Sequence, residues 1–200
     1  MGREQEWKLE VSGTEQLDII LAWGELQAFL TEQPRVYRMQ TTYYDTPDRA
    51  LSARNITLRR RMENDCSVVC VKAPLPGEEG SGVRGEWELP SQDLERALPR
   101  LIALGAPALL LELPQLIPVC GAEFLRRAML LRFSDGSTSE LALDSGSLLG
   151  SSRRIPLCEL ELEMKSGGTE ATLRLLHRLM THFGLRAQLL SKYARARALL

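Results

Sequence analysis

Glutamate occupies every second position in Cys158-Glu159-Leu160-Glu161-Leu162-Glu163-Met164-Lys165. A two-residue period is that of a β-strand, so Glu159, Glu161 and Glu163 share one face and Cys158, Leu160, Leu162 and Met164 the other. Carboxylates at this spacing repel one another and ionise reluctantly unless water, cations or basic side chains face them. The chemistry open to such a row is to bind a hard divalent ion through oxygen or to pair with lysine and arginine. Near the start of the chain, Glu4, Glu6 and Lys8 share a face in the same way. Taken singly, each of these strands reads as the solvated outer strand of an antiparallel sheet.

The strands between them change that reading. Arg59 and Arg61 share a face of Thr57-Leu58-Arg59-Arg60-Arg61, and Arg84, Glu86 and Glu88 share one of Val83–Leu89, with Val83, Trp87 and Leu89 behind. The inward candidates are Lys8, Arg38, Arg59, Arg61, Lys72, Arg84, Arg126 and Lys192 on the positive side. On the negative side they are Glu4, Glu6, Glu86, Glu88, Glu140, Asp144, Glu159, Glu161 and Glu163. Charge of both signs on one strand face with apolar residues behind suits a barrel with a polar lumen and helices outside. Arginine forks grip phosphate oxygens in pairs, and a divalent cation lets carboxylates approach the same polyanion. Such a lumen fits a phosphoanhydride and its metal. A purely structural network of this size would carry a large desolvation penalty.

The elements that must position these residues follow from periodicity. A helix is expected from Thr14 as cap to the stop at Pro34, a strand over 35–44, and a turn at Asp45-Thr46-Pro47-Asp48. Ile56–Glu63 and Ser67–Ala73 form a hairpin through Asn64-Asp65, and Pro74–Gly82 is a polar loop. A helix over 91–105 with Ser91 as cap precedes an ambiguous apolar run at 108–113. Strands follow over 124–133, 140–144 and 157–165, then a helix capped by Thr169 and ended by Gly184. Ser191 opens a last short helix that carries Lys192 near its N-terminus.

Two hundred residues with no linker imply a single domain over 1–200. A net charge of −1 excludes a general nucleic-acid binder, so any anion site is local. No leader or membrane-length apolar run is visible, which points to a cytoplasmic protein without membrane partners. Cys66, Cys70, Cys120 and Cys158 lack zinc-type pairing and are expected to be buried thiols, and His177 and His182 lie in a helical segment, so a histidine-based site is excluded. A metal would have to be Mg²⁺ or Mn²⁺ on carboxylates.

Glu4-x-Glu6-x-Lys8 resembles the ExExK signature of the CYTH superfamily, the triphosphate tunnel metalloenzymes. The resemblance extends in order through Tyr43-Tyr44-Asp45-Thr46-Pro47, Leu58-Arg59-x-Arg61, Lys72, Glu140-x-Ala142-Leu143-Asp144, the glutamate row and Leu190-Ser191-Lys192. It is strongest to bacterial inorganic triphosphatases, which often carry a further helical, histidine-rich domain that is not expected within these residues. The resemblance implies an α+β fold built on a closed, eight-stranded antiparallel β-barrel, a tunnel flanked by helices. It implies metal ligands at Glu4, Glu6, Asp144, Glu159 and Glu161, phosphate binding by Arg59, Arg61, Lys72, Arg84, Arg126 and Lys192, and phosphate contact by Lys8. Glu161 or Asp144 would orient the attacking water. One departure stands out: the family often has a basic residue where this chain has Ala128. The activity implied is metal-dependent hydrolysis of inorganic triphosphate. The alternatives are a thiamine or nucleoside triphosphatase, a class IV adenylyl cyclase, or a non-catalytic polyphosphate or nucleotide sensor. Oligomeric state is not legible.

Overall fold

In the computed structural model, which describes residues 2–78 and 81–200, ten strands form one antiparallel sheet. They are β1 (Gly2–Glu4), β2 (Glu6–Glu10), β3 (Arg35–Asp45), β4 (Thr57–Glu63), β5 (Cys66–Pro74), β6 (Arg84–Pro90), β7 (Ile117–Arg132), β8 (Thr138–Leu149), β9 (Arg154–Ser166) and β10 (Arg186–Ala187). Their order is β1-β6-β5-β4-β3-β7-β8-β9-β2-β10. The sheet is therefore open, with edges at β1 and β10, where a closed barrel of eight was expected. The cause is at Gln5. It splits the first strand so that Glu4 pairs with Arg84 on β6 while Glu6 pairs with Glu163 on β9. Two residues span at most about 7 Å, so the sheet must curl until both ends reach this one segment.

Alternation sorts side chains cleanly between the two surfaces of the curl. Helices cover the convex surface in two cores. One packs α1 (Thr14–Leu21), α2 (Gly24–Gln27) and α4 (Glu170–Phe183) over Leu9, Met129, Leu141, Leu160 and Leu162. The other packs α3 (Leu94–Ala103) over Leu58, Val69, Val71, Trp87 and Leu89. A third core lies on the concave surface, where Tyr193, Ala196 and Leu199, on and just after α5 (Lys192–Arg197), meet Met39, Tyr43, Phe124, Leu148 and Leu157. This apolar insertion fills one end of the curl, and α5 becomes the floor of what remains open.

Several local expectations are corrected. The helix expected to run unbroken to Pro34 stops at Leu21 and resumes as α2, with Trp23 extended between them. Asp93, rather than Ser91, caps α3 by accepting from the Arg96 N–H. The apolar run becomes a 3₁₀ turn at Ala108–Leu111, and the following strand begins earlier, at Ile117. Cys66 is exposed beside its hairpin turn and Cys158 is half-buried; Cys70 and Cys120 are buried, and all four thiols are free. The Ser191 cap of α5 is present, its hydroxyl accepting from the Ala194 N–H at 3.1 Å. Residues 79–80 of the polar loop lie outside the described residues; its Glu78 pairs with Arg3 of β1. Among the described residues no helix is long and apolar enough to cross a membrane.

Asp45 fixes the floor to the wall. Its buried carboxylate accepts from the N–H groups of Thr46 (2.8 Å), Leu51 (2.9 Å) and Ser52 (3.1 Å) and from the Tyr193 hydroxyl of α5 (3.2 Å). Burial alone would raise this carboxyl, but the Leu51, Ser52 and Thr46 donors outweigh it and hold it below the ordinary aspartate value. A depressed folded-state value stabilises above the unfolded one and is lost as the pH falls through the folded one. Asp45→Ala is expected to cost about 3 kcal/mol in urea unfolding near neutral pH, because buried donors lose their acceptor. The cost should shrink in acid, where the native carboxylate is itself protonated.

Candidate functional site

The concave surface above α5 encloses a cavity of about 790 Å³. Among the described residues eight basic side chains line it (Lys8, Arg59, Arg61, Lys72, Arg84, Arg126, Lys165 and Lys192), and so do eight acidic ones (Glu4, Glu6, Glu63, Glu86, Glu88, Glu140, Glu161 and Glu163). Equal numbers mean the cavity can take a polyanion only together with added positive charge, or by displacing its own acids. Strand register explains the neighbours: Lys8 opposes Glu161, Thr57 opposes Lys72, Lys72 opposes Glu86, and Arg126 opposes Asp144.

The charges fall into two groups. In the first, Lys72 pairs closely with Glu4 and lies 3.6 Å from Glu86, which is 3.3 Å from Arg59. Arg61 pairs with Glu63 and reaches Glu88 at 3.5 Å, and Lys8 lies 3.1 Å from Glu6. Arg84 donates to the carbonyls of Asn55 (2.6 Å) and Lys72 (3.1 Å). Arg59 and Arg61 each keep a buried Nε–H with no partner among the described residues. Orphaned, buried, charged donors are costly unless an acceptor arrives.

In the second group three carboxylates surround the Lys192 ammonium: Asp144 and Glu161 at 2.8 Å, and Glu159 closer. Arg126 binds Asp144 through both oxygens at 2.8 and 2.7 Å and also holds Glu161, while Arg195 holds the far oxygen of Glu159. Phe124 lies beneath both cations, its ring centre 5.2 Å from Lys192 Nζ and 5.7 Å from the Arg126 guanidinium carbon. Asp144 and Glu159 are fully buried at 0% exposure and do not line the cavity, whereas Glu161 does. The expected metal ligands are thus divided: Glu4 and Glu6 in the first group, Asp144, Glu159 and Glu161 in the second.

Carboxylate oxygens of Glu4, Glu86 and Glu163 lie within 4.8 Å of one another. These are three hard donors at the cavity wall, the chemistry that Mg²⁺ or Mn²⁺ takes. Burial lifts the Glu4 carboxyl to about 7, because the opposing Lys72 charge is shared with other acids and Glu6 and Glu86 push the same way. Glu86 goes the other way, to about 2: Lys72 and Arg59 outweigh its burial. The Glu4 site therefore carries negative charge its surroundings leave undercompensated, and a divalent cation fits it.

Sequence reasoning placed Arg38 inward, but it is exposed on the convex side, and Tyr37, Met39, Thr41 and Tyr43 line the cavity instead. Glu63 and Lys165 were missed although each simply continues a charged face by two residues, after Arg61 and Glu163. Arg195 was missed too; its signal was the three-residue helical spacing from Lys192.

A curled sheet whose concave face joins arginines to a carboxylate cluster has the donors to hold an anion and a cation side by side. The CYTH domain family matches residues 2–196, and the chain belongs to it. It is 28% identical over 168 residues to an inorganic triphosphatase of Haemophilus influenzae, a match covering 83% of this chain and 47% of that protein. The chain thus spans about half the length of that relative. Two solved structures share the fold at 18% identity. One is a Hippeastrum protein described as revealing a dominant triphosphatase activity, with a TM-score of 0.59 over 99% of this chain and 96% of that one. The other is a protein from Pyrococcus horikoshii, with a TM-score of 0.55 over 94% of each.

A carboxyl lifted above its ordinary value of 4.5 favours the protonated form in the folded protein. The stability this brings is present below 4.5 and lost as the pH rises through about 7. In a ¹³C carboxyl NMR titration of metal-free protein, Glu4 is expected to show a midpoint near 7. Saturating Mg²⁺ should lower it by about one unit or more; an unmoved midpoint would remove Glu4 from the metal site.

Proposed function

We propose that this single domain, residues 1–200, hydrolyses inorganic triphosphate to diphosphate and phosphate with Mg²⁺ or Mn²⁺. The observation that carries the reading is the pair of orphaned Nε–H donors on Arg59 and Arg61, in the same cavity as the Glu4–Glu86–Glu163 carboxylates. The arginines await an anion and the acids a cation, and a metal-bound triphosphate supplies both. The kinship with an inorganic triphosphatase supports the same reading.

Arg59, Arg61, Lys72 and Arg84 sit on adjacent strands and grip the phosphate oxygens, with Lys8 at the opposite wall. Glu4, Glu86 and Glu163 would hold a divalent ion, which would supply neutralisation of charge on the phosphates and the departing diphosphate. Phosphoryl transfer needs mainly positioning and charge stabilisation, and no side-chain nucleophile is required. Water oxygen bonds to the terminal phosphorus, the bond to the bridging oxygen breaks, diphosphate leaves with that electron pair, and the water proton passes to a phosphate oxygen or to solvent. Glu161, alone of its buried trio in lining the cavity, retains lone pairs with which to orient that water. Asp144 acts through Arg126 and Lys192, both of which it holds.

Phosphate release from triphosphate, ATP and thiamine triphosphate, each with Mg²⁺ or Mn²⁺, tests the proposal. Triphosphate is expected to turn over fastest, and Arg61→Ala or Glu6→Ala to cut the rate about 100-fold or more without lowering the melting temperature. Tight binding with no turnover would make the protein a sensor, and cyclic nucleotide formed from ATP would make it a cyclase. Either result defeats the proposal.

A further inference from the structure

Lys192 stands where a second metal would be expected. One oxygen each from Asp144, Glu159 and Glu161 converges on its ammonium, and the three residues can each bring a carboxylate oxygen within 4.8 Å of the others. The outward oxygens of Asp144 and Glu161 are held by Arg126 and that of Glu159 by Arg195, and Arg126 also shares the inner Asp144 oxygen with Lys192. This is the layout of a metal centre, an inner ring of hard oxygens fixed by an outer ring of donors, with an ammonium at its middle. The account also closes in charge: three carboxylates meet three cations. Adding a divalent ion there would set it against Lys192 at contact distance inside a buried pocket. Lys192 donates to Glu159 and Glu161 and lies 2.8 Å from Asp144, so three carboxylates already meet its charge.

We propose that Lys192 is a built-in substitute for a second divalent cation, so that this chain carries one metal ion, at Glu4–Glu86–Glu163, and its buried trio takes an ion only when the lysine charge is removed. The location of the first ion rests on the functional reading above; the substitution does not. Lys192 is on this view a positioning residue: it fixes Glu161 and, with Arg126, sets the potential of the cavity floor. Delivery of the charge on α5, whose floor position depends on the Asp45–Tyr193 contact, makes the substitute part of the fold.

Counting ions tests this without any turnover. The full chain is titrated with Mn²⁺ while the free ion is followed by electron paramagnetic resonance. Wild type is expected to bind one ion, and Lys192→Met two. Equal counts in the two proteins, with Lys192→Met folded by circular dichroism, would overturn the proposal. If Lys192→Met does not fold, Glu159→Gln decides: an unchanged count with affinity within about twofold supports the built-in cation, and loss of an ion or a tenfold weakening overturns it. Glu163→Gln reports on the other site. A tenfold or greater loss there supports the first-site assignment, while a wild-type count of zero with one in Lys192→Met would defeat that assignment and leave the lysine substitution standing.

Discussion

Everything in this structure turns on how a strand face bearing Glu159, Glu161 and Glu163 is neutralised. Left alone, such a row cannot be buried. The chain meets it in two ways that divide the concave surface. At the floor, Arg126, Lys192 and Arg195 balance the buried trio charge for charge. Nearer the open cavity, Glu163 joins Glu4 and Glu86, where lysine charge is shared and donors on Arg59 and Arg61 stay unused. A more fully paired region thus supports a less fully paired one, although the floor keeps an unmet donor of its own, the buried Nε–H of Arg195.

The apolar insertion of α5 makes this division possible. Phe124 presents a ring to both floor cations, and Gly146 faces it: a Cβ there would run into the backbone and side chain of Phe124. Tyr193 packs on Tyr43, ring centres 5.1 Å apart, and bonds Asp45 at the end of β3. Lysine at the first position of a helix is electrostatically unfavourable on its own; three carboxylates around it reverse the sign. The same insertion packs Tyr193, Ala196 and Leu199 on the concave surface, so the charged space shares that surface with an apolar core.

Much of this was legible in the chain because alternation is a strong signal. The rows at Glu159–Glu163, Arg59–Arg61 and Arg84–Glu88 each land on the concave face with the apolar partners behind them, in the convex cores. Alternation says which residues share a face but not which face turns inward. Both sets on β3 were mixed, and Arg38 went to solvent because Tyr43 is drawn against Tyr193. The break at Gln5 was invisible for a related reason: Glu4, Glu6 and Lys8 keep their phase across it, so the pattern is the same whether one neighbour is paired or two. The burial of Asp144 and Glu159 could not be read locally either, since it depends on α5 arriving from the far end of the sequence.

The segment around Gln5 also sets the order of assembly. Glu6 to Glu10 leave the ribosome before their partners in β9, which follow about 150 positions later, and only then can the curl be drawn together. Pairings so distant in sequence form slowly because loop entropy must be overcome before they reward it. In the interval the glutamates of β2 keep the nascent edge hydrated and disfavour its pairing with another copy. Glu6 and Lys8, which line the cavity, are thus also the kind of charge that keeps an unpaired strand edge from joining another copy.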